Sequence, residues 1–144
     1  MSSSPNAAVT ASGILKVPRI HIVDGVVALN ASLDVVLQIQ ADADFEWWWL
    51  SISRTNALLK ALIAEAGAGN RQFIYSGNPQ AQNFQGILVD NLAGLVAGNG
   101  ALPIAVPYVM PAGRTYTHHF TDSSGAQNTV QFAYHGFALL KVAS

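Results

Sequence analysis

Cysteine is absent from the 144-residue chain, so no disulfide, thiolate metal site or cysteine nucleophile is available to it. Charge is scarce too. Seven basic and 8 acidic residues give a net charge of −1 and a charged fraction of 10%, against about 25% in an ordinary soluble domain. With no excess of cations to displace counterions from phosphates, direct electrostatic binding of nucleic acid is excluded. Long apolar runs are also missing. None reaches the ~18 residues of a membrane span, and the greasiest segment, Ile87 to Val96, is broken by Asp90 and Asn91. The opening residues, MSSSPNAAVTASG, have neither the basic nor the apolar region of a secretory signal. Synthesis in a cytoplasm without Sec-type export is therefore expected.

What the chain does have is apolar surface. Hydrophobic types make up 51%, too much for a disordered segment. The length suits one domain with its own core and is too short for two of ordinary size. The Ser/Ala/Pro-rich residues 1–13 are expected to form a flexible N-terminal arm, and residues 14–144 a single domain. A small chain this poor in charge either presents many uncharged polar groups or buries surface against partners.

From Ile14 onward, short apolar segments recur between clusters of Gly, Asn, Asp, Ser and Pro, the pattern of an all-β sandwich or barrel. Asp24-Gly25, between Ile20–Val23 and Val26–Leu29, reads as a two-residue hairpin turn. Leu33 to Gln40 alternates, with Val35, Leu37 and Ile39 on one face. In Phe45 to Ser53, alternation puts Phe45, Trp47 and Trp49 on one face and Glu46, Trp48 and Leu50 on the other. Asn56 to Ala66 has a helical stripe, an N-cap and a glycine stop. The Gly67–Ser76 hairpin pattern after it favours a strand with Leu59, Ala61 and Ile63 inward. Asn83 to Asp90 is strand-like, and Gly94 to Gly100 is a loop or an irregular edge. Pro103, Pro107 and Pro111 confine their stretch to a sheet edge or an extended crossing. Arg114 to Asp122 sets Tyr116, His118 and Phe120 against Thr115, Thr117 and His119, and Asn128 to Val142 forms a final long strand with a kink at Gly136.

Few constellations carry chemistry. His118 and His119 point to opposite faces of a strand, so they cannot share one metal ion. Asp42 and Asp44 form a D-x-D turn without the further oxygens of a calcium loop. The glycines at 94, 98 and 100 lack the Lys-Ser/Thr of a phosphate loop, and no G-x-S-x-G occurs. Neither a metal, a cofactor nor enzymatic activity is expected. Trp47-Trp48-Trp49 is the most unusual feature. Three consecutive indoles on a strand cannot all point inward, and each has on the order of 200 Å² to cover. At least one must be hidden by the rest of the chain, a neighbouring subunit or a sugar.

In order, F-E-W-W-W-L, the hairpin around Gly67 to Arg71, Phe84-Gln85-Gly86, the proline-punctuated Pro103–Pro111, A-G-R-T-Y-T and the terminal V-Q-F-A-Y-H-G-F-A-L-L resemble the small jelly-roll decoration (cement) proteins of tailed bacteriophage capsids. The likeness runs from about Phe45 to the C-terminus. It implies an eight-stranded double-sheet sandwich without catalytic residues, present as a homodimer or homotrimer on the outer surface of the virion. There it would clamp the major capsid protein lattice, without touching nucleic acid or membrane. Interfaces favour Trp, Tyr and Arg, which singles out Trp48, Arg54, Arg71, Tyr108, Arg114 and Tyr116 as contact residues. A carbohydrate-binding sandwich, such as a receptor-binding head using exposed tryptophan, and a head–tail connector or tail subunit are the alternatives.

Overall fold

Inward and outward side chains alternate along the long strands of the computed structural model, which describes residues 8–9, 13–65, 71–72, 87–90 and 102–142. In chain order the strands are β1 Ala8–Val9, β2 Ile14–Val27, β3 Ser32–Gln38, β4 Asp44–Arg54, β5 Leu59–Glu65, β6 Arg71–Gln72, β7 Ile87–Leu88, β8 Leu102–Met110, β9 Thr115–Asp122 and β10 Asn128–Lys141. One sheet has the order β1-β2-β10-β4-β8; the other runs β3-β9-β5-β6, with β7 also paired to β5. The fold is the expected all-β antiparallel sandwich.

Its winding follows from the partners. β2 pairs with β10, β3 with β9, β4 with β8 and β5 with β6. The chain is thus one long hairpin doubled over, with successive rungs falling in opposite sheets, which is the jelly-roll arrangement. β10 lies between β2 and β4, and β9 lies between β3 and β5.

The core lies between the sheets. Val23, Phe45, Trp47, Leu50 and Phe132 from the first sheet meet Leu37, Leu59, Ile63, Tyr116 and Phe120 from the second. Phe120 and Phe132 meet edge-on across the layers with ring centroids 5.3 Å apart, and Trp47 and Tyr134 pair edge-on within the first sheet at 5.0 Å. His118 is fully buried among them. Its Nδ1 lies 3.2 Å from the Tyr116 carbonyl and its Nε2 2.6 Å from Tyr134 Oη. A carbonyl only accepts, so Nδ1 carries the proton and Tyr134 donates to Nε2. Burial holds this imidazole neutral by pushing its pKa down to about 4.

One expectation needs correction, and others are resolved. Asp24-Gly25 is not a turn: Ile14–Val27 is one unbroken strand paired along its whole length with β10. Gly25 does not adopt the positive φ that the hairpin turn requires. A Cβ on Gly25 would sit 2.8 Å from the Leu33 side chain, so the glycine lets β3 close onto β2. Within Asn56 to Ala66, Leu59–Glu65 is a strand, with Leu59, Ala61 and Ile63 buried as expected; pairing with β9 overrides the local helical propensity. The proline-rich stretch is the edge strand β8. Of the arm expected over 1–13, Ala8 and Val9 pair with Lys16 and Leu15. Its other residues up to 12 lie outside the described residues. So do the turn at 67–70, the loop at 77–80, residues 83–86 and the loop at 94–100.

Candidate functional site: the outer face of the first sheet

Phe45 and Trp47 face the core, and simple alternation would send Trp49 after them. Instead the register slips. Trp47 opposes Gly136, Trp49 opposes His135, and Trp48 is the extra residue of a β-bulge. From there Leu50 and Ile52 become the inward residues and Trp49 is turned out, 37% exposed. The expectation that Trp49 would share the Phe45–Trp47 face, with Leu50 opposite, therefore fails at one inserted residue. The bulge is locked on both sides. A Cβ at Gly136 would stand 1.9 Å from the Glu46 carbonyl oxygen, so only glycine fits beneath β4 there. The Trp47 indole N–H donates to the Trp49 carbonyl at 2.7 Å.

The bulge builds an aromatic surface. Trp48 and Trp49 have ring centroids 5.7 Å apart, and Phe137 meets Trp48 edge-on at 6.1 Å. Pairing arranges their neighbours in rows across β2, β10 and β4: Pro18–Phe137–Glu46, Ile20–His135–Trp49, Ile22–Ala133–Ser51 and Asp24–Gln131–Ser53. Ile20 and Ile22 are 53% and 52% exposed. An open depression of about 550 Å³ is lined by Pro18, Arg19, Ile20, Trp49, His135, Gly136 and Phe137.

The polar groups around this surface are engaged with one another. Arg19 grips Asp42 with two bonds of 2.9 Å, which hold the Asp42 carboxyl below its ordinary range. Asp44 accepts from the Ala112 N–H at 2.8 Å, so both carboxylates of the D-x-D turn have protein donors. Burial alone would push the Glu46 carboxyl up. Hydrogen bonds from the Trp48 indole (2.8 Å) and Lys16 (3.0 Å) outweigh it and hold the group down. Ser51 Oγ lies 2.9 Å from His135 Nε2. That is the separation of a nucleophile–base pair. No carboxylate among the described residues hydrogen-bonds this imidazole, so no third member of a catalytic triad is placed beside the pair there.

The six expected contact residues divide between two places and a remote corner. Trp48 lies half-buried on the outer face. Tyr108 and Arg114 instead converge on Glu65, a carboxylate only 2% exposed at the end of β5. Tyr108 Oη donates to Oε2 at 3.0 Å and Arg114 Nη1 to Oε1. Tyr116 is wholly buried beside this cluster, its phenol pushed far up by burial and by the nearby charges. It offers no surface to a partner, which corrects its selection as a contact residue. Arg71 pairs through its backbone with Glu65. Arg54 is held elsewhere by Asp90, at 3.0 and 2.8 Å.

Sequence reasoning passed over Ile20, Ile22, His135, Trp49 and Phe137. The available signal was the even-numbered run Pro18, Ile20, Ile22, which the supposed hairpin at Asp24-Gly25 cut short. No family model matches the chain, and no curated protein or solved structure is similar enough to point to a relative.

Proposed function

We propose that this chain is a structural virion protein, a capsid decoration protein that seats on the outer surface of a shell and stabilises its lattice of major capsid protein. The observation that carries the reading is the outer face of the first sheet. It is an aromatic and aliphatic surface on a jelly-roll sandwich, nearly free of unpaired charge. Such a face gains free energy from being covered, at ~25 cal/mol per Å² of apolar area, and its composition is that of an interface centre. The jelly-roll winding agrees with the sequence resemblance, which is the source of the capsid assignment.

The carbohydrate alternative has the exposed Trp49 in its favour. A sugar, however, needs polar groups that are available to its hydroxyls. Around this depression the Arg19 guanidinium is clamped by Asp42, and His135 Nε2 is bonded to Ser51. An apolar partner surface fits better.

The test is fractionation. Particles isolated from cells that make the protein should contain the chain at a fixed ratio to the major shell protein. Purified protein added to undecorated shells should saturate at a symmetric stoichiometry and raise their disruption temperature. Protein that never sediments with particles, or that leaves the shells no more stable, refutes the assignment.

A further inference from the structure

The same sheet face carries its own complement. We infer that a second copy of this chain covers it, face to face, about a two-fold axis crossing the strands at the Ile20–His135–Trp49 row. This deepens the proposed assembly role by naming what occupies the aromatic face, and it rests on that face being an interface.

The first ground is size. β2, β10 and β4, at ~4.8 Å spacing and ~3.4 Å per residue between Lys16 and Val26, with β8 added beside Phe45–Leu50 only, give roughly 570 Å². Two such faces hide ~1,100 Å², above the ~1,000 Å² that a specific interface should clear.

The second ground is charge. Lys16 and Asp24 lie on β2 at equal distances from Ile20, four residues to either side. A two-fold axis across the strands at Ile20 lays Lys16 of one copy over Asp24 of the other, twice. Lys16 already touches Glu46, so the arriving carboxylate would complete a three-membered network.

The third ground is shape. Phe137 and Ala133 lie two residues to either side of His135 on β10. The same axis sets the large ring of one copy over the small side chain of the other. A two-fold axis along β10 instead would stack Phe137 on Phe137 and leave Ala133 facing Ala133 across a gap. Aligned sheet packing accommodates the twist of the two faces.

The chain contains no cysteine, so a single introduced thiol is the only one. Facing sheets stand ~10 Å apart, too far for a disulfide but within reach of a short bismaleimide. The full-length variant Ile20→Cys should cross-link to itself. Val36→Cys, exposed on the other sheet, should not. Mixed Lys16→Cys and Asp24→Cys proteins should link to each other at least tenfold faster than either links to itself. Sedimentation equilibrium should show a dimer that Ile20→Asp, with its far-ultraviolet spectrum unchanged, weakens at least a hundredfold. Val36→Asp should leave it intact. A monomer throughout the micromolar range, equal cross-linking at positions 20 and 36, or faster Lys16→Cys self-linking overturns the inference. A monomer that still saturates shells overturns it while leaving the decoration reading standing. A cross-linked dimer that never binds shells supports it and removes that reading.

Discussion

Acid should destabilise this protein before its carboxylates begin to titrate, and His118 should be a principal cause. In the fold, burial drops its pKa from 6.5 to about 4; in the unfolded chain it regains the ordinary value. Between those limits the unfolded state holds one more proton than the native state. Stability therefore rises with pH, at about 1.4 kcal/mol per pH unit for one proton. Stabilisation from the neutral His118 is complete above pH 6.5. It diminishes as pH falls towards 4, where the native imidazole itself takes up a proton. The full swing is about 3 kcal/mol, a large share of a typical domain's stability. His21 is shifted in the same direction, by burial and by Arg19, and adds to the slope. Urea midpoints measured from pH 7 to 4.5 should fall steadily in the native protein. In His118→Gln the slope should be shallower by close to one proton, whatever the substitution does to stability at neutral pH. The His118 ring proton should show no titration shift by NMR above pH 5. An unchanged slope in the variant, or a ring that titrates near 6.5, refutes the reasoning.

Four other substitutions test separate parts of the structure. Gly136→Ala forces a Cβ into the Glu46 carbonyl and should cost roughly 3 kcal/mol or more by chemical denaturation. Gly25→Ala meets only the side chains of Leu33 and Val35, and no backbone, and should cost less. Asp122 accepts from the Asn30 and Ser124 N–H groups, the Ser124 hydroxyl and the Asn128 amide. Burial opposes the charge, yet these donors hold the carboxyl well below its usual range. Its stabilisation is present above the unfolded value near 3.8 and is lost as pH falls below it. Asp122→Asn should thus lower the thermal midpoint at pH 7 and flatten the stability profile below pH 4. Leu58 is a non-glycine residue at φ 63° with an exposed side chain. Leu58→Asn should raise stability by about 0.5 kcal/mol, because asparagine tolerates that conformation better.

The sandwich was legible because period-two patterning survives in β3, β9 and β10. Tyr116, His118 and Phe120 face inward as the alternation requires. The pattern failed where one residue carries two meanings. Gly25 looks like a turn and is a close inter-sheet approach, so the longest exposed apolar strand face was cut in two. Trp48 looks like one more step of the alternation and is a bulge, so Trp49 was assigned to the wrong side. Neither meaning is local: each is fixed by a strand at least eight residues away in sequence, through Leu33 in one case and Gly136 in the other. Glu65 shares the parity of Leu59, Ala61 and Ile63 and could have been placed inside. Its partners Tyr108 and Arg114 come from the far arm of the long hairpin, and nothing in the surrounding residues announces them.

That doubled hairpin also sets the order in which the molecule can be made. The centre of the first sheet is its final strand: Ile14 pairs with Lys141, and β4 reaches β2 only through β10. A ribosome that has reached residue 127 has delivered β2 and β4 with no shared neighbour to bridge them. The edges that β2 and β4 turn towards β10 stay open until residues 128–141 emerge. Folding dominated by such distant pairings is slow and vulnerable to aggregation. Loss of β10 should therefore leave chains that clump during synthesis instead of a slightly weakened sandwich.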